Sequence, residues 1–124
     1  MATRILVLSL LFAGTLQAQE TEKVWEGTWK NRKFNTTGPL KCTASTEDGK
    51  KWKATFDGEF MGEDFRYEAK FAGKKARNQI NLSGKATLDG DRYEWAGHMK
   101  DDQLFGKFRS LKGYFGEFIL KLKE

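Results

Sequence analysis

The sequence predicts an all-β fold, an eight-stranded antiparallel up-and-down (meander) β-barrel, from three observations. Apolar and polar residues alternate along most of the chain, which is the pattern of strands with one buried face. Short connections such as Asp48-Gly49 favour tight hairpins, so sequential strands should be neighbours. Seven apolar stripes have a small residue at their centre, as in Trp25-x-Gly27-x-Trp29. This spacing favours a strongly curved, closed barrel over its main rival, a two-layer sandwich.

Strands 1 to 4 each carry an alternating stripe. The first is predicted at 24–30, where tryptophans flank a glycine, and the second at 40–46, where small apolar residues alternate with polar ones. The third, at 51–60, alternates along its whole length, as a half-buried strand should. The fourth, at 64–71, places aromatic residues opposite Arg66, Glu68 and Lys70. The stretch 31–39, with Phe34 and the sole proline, is predicted as the longest loop.

Strands 5 to 8 continue the pattern at 79–88, 92–99, 103–109 and 114–123. We expect Gly97, Gly106 and Gly116 to lie side by side, forming a crease in the sheet that aromatic rings cover. Aromatic residues dominate the predicted inward face: Trp25, Trp29, Trp52, Phe56, Phe60, Phe65, Tyr67, Phe71, Tyr93, Trp95, Phe108, Tyr114 and Phe118.

The first residues are predicted to be a secretory signal peptide. Residues 1–18 combine a basic start at Arg4, an apolar run at 5–13 and a small residue, Ala18, before a polar stretch. We therefore expect a single β-barrel domain at 19–124 in a secreted or periplasmic protein of a bacterium. Cys42 is the sole cysteine, so no internal disulfide can form. A buried, inert thiol is the main interpretation of Cys42, and an intermolecular disulfide is the alternative.

Charge limits the classes of partner. The chain has a formal net charge of +5, with acidic and basic residues interspersed. The excess is compatible with polyanions or anionic membrane surfaces, but mixed charge favours a solvated surface. We expect no nucleic-acid partner, because the aromatic residues face inward and leave no stacking platform. We expect no membrane span, because the apolar run is too short. The basic blocks that stand out are Lys50-Lys51 with Lys53, and Lys74-Lys75 with Arg77.

Catalytic and metal-binding patterns have little support in the sequence. His98 is the sole histidine, and its position in the alternation places it on the outer face. One histidine and one apolar-flanked cysteine do not supply a metal site. We therefore predict that the protein is not an enzyme and that it uses no catalytic residue, metal or cofactor.

One short motif resembles a known group of proteins. Gly27-Thr28-Trp29-Lys30-Asn31 opens the first strand and is similar to the Gly-x-Trp opening of the calycin group, the lipocalins and avidins. The match is closest to avidin-type proteins, in which the corresponding asparagine contacts biotin. The resemblance implies a small secreted barrel and a ligand contact for Asn31. The residues that follow Asn31 depart from the avidin motif, so the resemblance implies the fold rather than biotin.

These observations predict an exported, non-enzymatic β-barrel that binds a small apolar or amphipathic ligand at its mouth. The candidate ligand-binding residues combine indole and hydroxyl groups with an apolar body. They are Trp29, Asn31, Trp52, Tyr67, Tyr93, Trp95 and Tyr114.

The alternative function is an interaction or oligomerisation module whose core is completely filled. Apolar residues interrupt the polar outer face of strands 7, 8 and 1, and such patches often mark association surfaces. A homo-oligomer would then use this face. The other explanation is that Phe34 and its loop cover the patch. The candidate interface residues are Val24, Phe105, Phe115 and Ile119.

Overall fold

The computed structural model is a closed barrel of eight antiparallel strands in meander order, which confirms the predicted fold class. It describes residues 21–88 and 90–123. The predicted signal peptide at 1–18 lies outside the described residues, as do the first residues of the predicted domain. The strands are β1 (Thr21–Asn31), β2 (Thr36–Thr46), β3 (Lys51–Phe60), β4 (Glu63–Ala76), β5 (Gln79–Leu88), β6 (Asp91–Lys100), β7 (Gln103–Ser110) and β8 (Phe115–Leu122).

The strand register fixes the dimensions of the barrel. Following directly paired residues from Lys75 of β4 through β5, β6, β7, β8, β1, β2 and β3 returns to β4 at Phe65, ten residues away. With a rise of about 3.3 Å per residue and about 4.8 Å between strands, this stagger gives a strand tilt of about 40° and a radius of about 8 Å. An eight-stranded barrel of this kind has an interior that side chains can fill, or that can hold one small ligand.

β2 begins earlier than the sequence predicted. The expected loop at 31–39 shrinks to the four residues between β1 and β2, and Pro39 lies within β2 opposite Thr28. The β2–β3 pairing starts at Leu40, so Pro39, which has no N–H, is outside it. The carbonyl of Glu59 on β3 instead accepts a hydrogen bond from Trp29 Nε1 at 3.2 Å. An indole side chain thus takes the place of a backbone donor.

The alternating inward face forms the core, as predicted. Phe56, Leu104, Leu120 and Cys42 are the largest fully buried side chains, and most predicted inward aromatic residues pack with them. Phe60 is a correction, because it is exposed at the end of β3. Its place in the alternation is inward, but the strand ends there and the ring of Trp29 covers only part of it.

The glycines occupy positions where rings or backbones come close. Gly97 pairs with Gly106, as expected, but Gly116 pairs with Phe108, so the predicted row of three glycines is wrong by two residues. Aromatic rings lie over glycines on the facing strand in the pairs Gly58–Phe65, Gly84–Trp95, Gly106–Phe118 and Gly116–Phe108. This arrangement lets the sheet bend while the ring covers the gap.

The two ends of the barrel differ in the connections they carry. One end holds the β1–β2, β3–β4, β5–β6 and β7–β8 connections. We call it the apolar end because exposed apolar side chains lie there. The opposite, charged end holds the connections at 47–50, 77–78 and 101–102, which are polar or charged throughout.

Candidate functional site at the apolar end

Exposed apolar side chains gather at the apolar end. They range from 44% exposed for Phe60 to 83% exposed for Met61. Exposed apolar patches on small proteins are candidates for binding surfaces. We call this group the apolar rim: Phe34, Phe60, Met61, Leu111 and Phe115.

Two rim residues belong to tight connections with unusual backbone conformations. Met61 and Gly62 form the β3–β4 turn with φ angles of 52° and 83°. Left-handed conformations are common for Gly, Asn and Asp but costly for a residue such as Met. Phe34 precedes Asn35, whose φ is 54°, and its ring lies 5.5 Å from that of Tyr114. The Met61 side chain is thus displayed to solvent at some conformational expense.

A cluster of aromatic rings lies beneath the rim. Trp29 contacts Phe60 at 5.7 Å and Phe65 at 6.4 Å between ring centroids. Tyr67 then stacks against Phe65 at 6.2 Å and against Phe56 at 5.1 Å. The rim is therefore continuous with the core through Trp29.

Two buried oxygens at the apolar end have no hydrogen-bond partner in the described part of the protein. They are Asp91 Oδ2, at the start of β6, and Thr36 Oγ1, at the start of β2. Asp91 is only 6% exposed, and the alternation of β6 places it on the inner face with Tyr93. β2 and β6 are opposite strands of the barrel. Burying an unpaired carboxylate oxygen costs free energy, which a ligand donor would offset.

The middle of the barrel is closed by ring contacts. Phe71 stacks on Trp52 at 5.9 Å and meets Trp95 edge-on at 5.0 Å. Trp95 contacts Phe118 at 5.4 Å, and Phe118 contacts Phe56 at 5.6 Å. The indole Nε1 atoms of Trp52 and Trp95 are buried without acceptors among the described residues. A ligand at the apolar end would therefore sit above this layer and not pass through it.

The predicted ligand-binding residues are divided between three levels of the barrel. Trp29, Asn31 and Tyr114 are at the apolar end, where Asn31 Oδ1 accepts hydrogen bonds from the amides of Lys33 and Phe34. The side-chain oxygen of Asn31 thus stabilises the β1–β2 loop. Tyr67 and Tyr93 lie below this end, Trp95 lies in the filled middle, and Trp52 lies near the charged end.

Burial dominates the chemistry of the interior acids. Burial raises the pKa of the Cys42 thiol to about 12. It also raises the pKa of Tyr67 far above its usual value, and the neighbouring Cys42 and Tyr93 add to the effect. Both groups are therefore protonated at neutral pH. Cys42 is fully buried, in agreement with its interpretation as a structural thiol.

The predicted interface residues lie on one wall of the barrel but not in one continuous group. Phe105 pairs with Ile119 across β7 and β8, and His98 stacks on Phe105 at 5.4 Å. Phe115 lies further along β8, beyond Glu117, and belongs to the apolar rim. Val24 lies toward the opposite end, where its carbonyl accepts from the amide of Lys123.

The sequence interpretation missed most of the apolar rim and both unpaired oxygens. Met61 and Leu111 fall between the predicted strands, so the alternation gives them no role. An apolar residue beside a turn glycine, as in Met61-Gly62, was the available signal. The inward position of Asp91 could have been predicted, because it lies two residues before Tyr93 and therefore on the same face of β6. Nothing in the sequence indicated Thr36, because β2 was expected to begin after it.

Among residues 21–88 and 90–123, no three side chains of the metal-binding types are grouped to hold a metal ion. The same residues include no helix with the length and apolarity of a membrane span. No protein-family model matches the chain, and no curated protein or solved structure is significantly similar to it.

Proposed function

We propose that this protein is an exported, non-enzymatic, calycin-like barrel that binds a small amphipathic molecule at its apolar end. The proposal rests on one conjunction: an exposed apolar rim surrounds two buried oxygens that lack hydrogen-bond partners. An apolar surface with a few converging polar groups is the usual composition of a small-molecule site.

The polar groups specify one part of the ligand. A carboxylate accepts hydrogen bonds and attracts positive charge, so Asp91 Oδ2 suits a hydroxyl or an ammonium group. Thr36 Oγ1 can donate or accept, and because it lies on the opposite strand it suits a second polar group of the ligand. A ligand carboxylate would be repelled by Asp91.

The rim specifies the rest of the ligand. Phe60, Met61 and Leu111 offer an apolar surface at the mouth, and Trp29 lies in contact with Phe60. Because rings fill the middle of the barrel, the ligand would be short and held near the surface. The position of His98 on the outer face, stacked on Phe105, supports the non-enzymatic part of the proposal.

The test is a titration of tryptophan fluorescence with three small molecules that have alkyl chains of equal length. They are decylamine, decanol and decanoate, each used below its aggregation limit. We expect decylamine and decanol to change the emission, because Trp29 lies beside the rim, and decanoate to bind least. Asp91→Asn should remove the preference for decylamine over decanoate. Asp102→Asn, at the charged end, is the matched control and should leave the preference unchanged.

The proposal would be contradicted if none of the three small molecules bound. It would also be contradicted if Asp91→Asn kept the preference for decylamine over decanoate. Native mass spectrometry of the purified mature protein adds a direct measurement of any retained small molecule. The same spectra report oligomeric state, which tests the alternative function. That alternative is favoured by Ile119, which is exposed beside Phe105. If the protein is an oligomer that Phe115→Glu converts to a monomer, the rim serves association instead.

A further inference from the structure

The two basic blocks of the sequence come together on the outer face of β3, β4 and β5. Lys51 pairs with Ala72 across β3 and β4, and the amide of Gly73 donates to the carbonyl of Lys50 at 2.6 Å. The block that begins at Lys50 therefore lies beside the block that begins at Lys74. We call this surface the basic face and define it by its outward lysines: Lys51, Lys53, Lys70, Lys74 and Lys85.

Three of these lysines stand directly opposite one another. Lys53 pairs with Lys70, and Lys70 pairs with Lys85, so the three form a row across three strands. Directly opposed residues have Cβ atoms about 5 Å apart, and like charges at that spacing destabilise a sheet. All three side chains are exposed, and none makes an ion pair with a described residue. The row thus concentrates three like charges, and Glu94 opposite Lys85 offsets only part of their repulsion.

The surroundings of the row are small and polar. On one side lie Thr55 and Thr87, with Glu68 between them. On the other side lie Ala72 and Ser83, which pair with each other. At the β6 edge, Glu94 opposes Lys85 and lies 4.0 Å from Arg109. Two carboxylates therefore border the row, and hydroxyls and methyl groups make up the rest of its margin.

Four cations elsewhere on the described part of the barrel have an anionic partner within 4 Å. The ion pairs among the described residues all avoid the five lysines of the basic face. They are Arg32–Glu117, Arg66–Asp57, Arg109–Glu94 and Lys123–Glu26. Other lysines also lack an ion pair, but Lys107 and Lys121 stand directly opposite glutamates on the neighbouring strands. The row differs because lysine stands directly opposite lysine.

We propose that the basic face binds an acidic polysaccharide. A linear row of cations suits a linear polymer with repeated negative charges, and the flanking threonine and serine hydroxyls suit sugar hydroxyls. The face presents no aromatic or large apolar side chain, as base stacking or insertion into a lipid surface would require. Its cations are lysines, whereas arginine is the usual choice for phosphate and nucleic-acid recognition.

The test uses fluorescence anisotropy of dye-labelled polygalacturonate with the full mature chain. The variant replaces the row: Lys53→Gln, Lys70→Gln and Lys85→Gln together. We expect this variant to bind at least about tenfold more weakly at low salt, because the three charges are the main contact. Added salt should weaken wild-type binding steeply, because the contacts are exposed charges.

A matched control separates the row from net charge. Lys23→Gln, Lys107→Gln and Lys121→Gln together remove the same charge from β1, β7 and β8. We expect the control to retain binding within about threefold, because β1, β7 and β8 lie across the barrel from the row and their lysines would make no direct contact with the polymer. Thermal unfolding checks both variants, and the row variant should be at least as stable as wild type because repulsion is relieved.

Several outcomes would overturn the proposal. Equal weakening by the row variant and the control would assign the effect to net charge. Tighter binding of a labelled DNA duplex or of phosphatidylglycerol vesicles would assign the face to phosphate-bearing partners. No binding of polygalacturonate at low salt would remove the proposal altogether. None of these results depends on ligand binding at the apolar end.

Discussion

The apolar end and the charged end of this barrel are built with similar backbones and opposite surfaces. Both ends use tight connections with positive φ angles, at Met61 and Gly62 on one side and at Gly49 and Asp101 on the other. Exposed Phe, Met and Leu side chains lie among charged ones at the first end, whereas the described connections of the second end have charged and amide side chains and no exposed large apolar one. Turn geometry is therefore set by the fold, whereas the side chains at the turns differ between the two ends.

The largest expected effect comes from a substitution in the barrel wall between the two ends. A Cβ at Gly97 would lie 1.8 Å from the carbonyl oxygen of Phe105, on the neighbouring strand. Gly97→Val should therefore lower the free energy of unfolding by at least about 3 kcal/mol, measured by urea denaturation. Gly73→Ala is the control, because its Cβ would meet only side-chain atoms of Ile80 and Leu82 within 3.4 Å. A loss in Gly73→Ala as large as that in Gly97→Val would contradict this account of the wall.

The filled middle between the two ends should give the protein a pH signature. The Cys42 thiol has a folded-state pKa of about 12, above its unfolded value. Its stabilising contribution is complete below about pH 8.5 and is lost above it, because only the unfolded chain releases the proton. The free energy of unfolding should fall by about 1.4 kcal/mol per pH unit from this group, and Tyr67 should add a similar slope above about pH 10. Cys42→Ala and Tyr67→Phe should each flatten the profile relative to its own value at neutral pH, and unchanged slopes would show that neither group is buried.

The smallest expected effect is on stability, from substitutions at two turn residues that lie at opposite ends of the barrel. Met61 and Arg77 share nearly the same left-handed conformation, with φ angles of 52° and 51°, at opposite ends. Replacing either with Asn should raise the free energy of unfolding by about 0.5–1 kcal/mol, because Asn tolerates this conformation better. Only Met61→Asn should also weaken decylamine binding, since it removes part of the apolar rim. Equal binding by the two variants would mean that the rim is not the site.

Alternation along the strands was sufficient to predict the fold, because a half-buried strand repeats every two residues. The unbroken pattern at Lys51–Phe60 matches β3 at both ends. The start of β2 was missed because Pro39 suggested a loop, whereas the β2–β3 pairing begins only after it. A proline can lie in a strand beyond the last paired position.

The candidate sites were harder to predict, because they depend on register and on the ends of strands. The lysine row exists only because Lys53, Lys70 and Lys85 are in register, and a shift of two residues would have dispersed them. The predicted position of Gly116 depended on register in the same way. Gly116 pairs with Phe108, two residues from the Gly106 that was predicted to lie beside it. Asp91 and Thr36 became visible only when the structure showed which buried oxygens lack partners.

The β1–β8 pairing has a consequence for how the molecule reaches its final shape. Every other strand pair joins consecutive segments, whereas the amide of Lys123 must find the carbonyl of Val24 across nearly the whole chain. Such long-range contacts cost the most chain entropy and form slowly. We expect the chain to assemble first as an open ribbon, with β1 and β8 as unpaired edges that can join other molecules. The seam between these two strands is therefore where folding competes with aggregation.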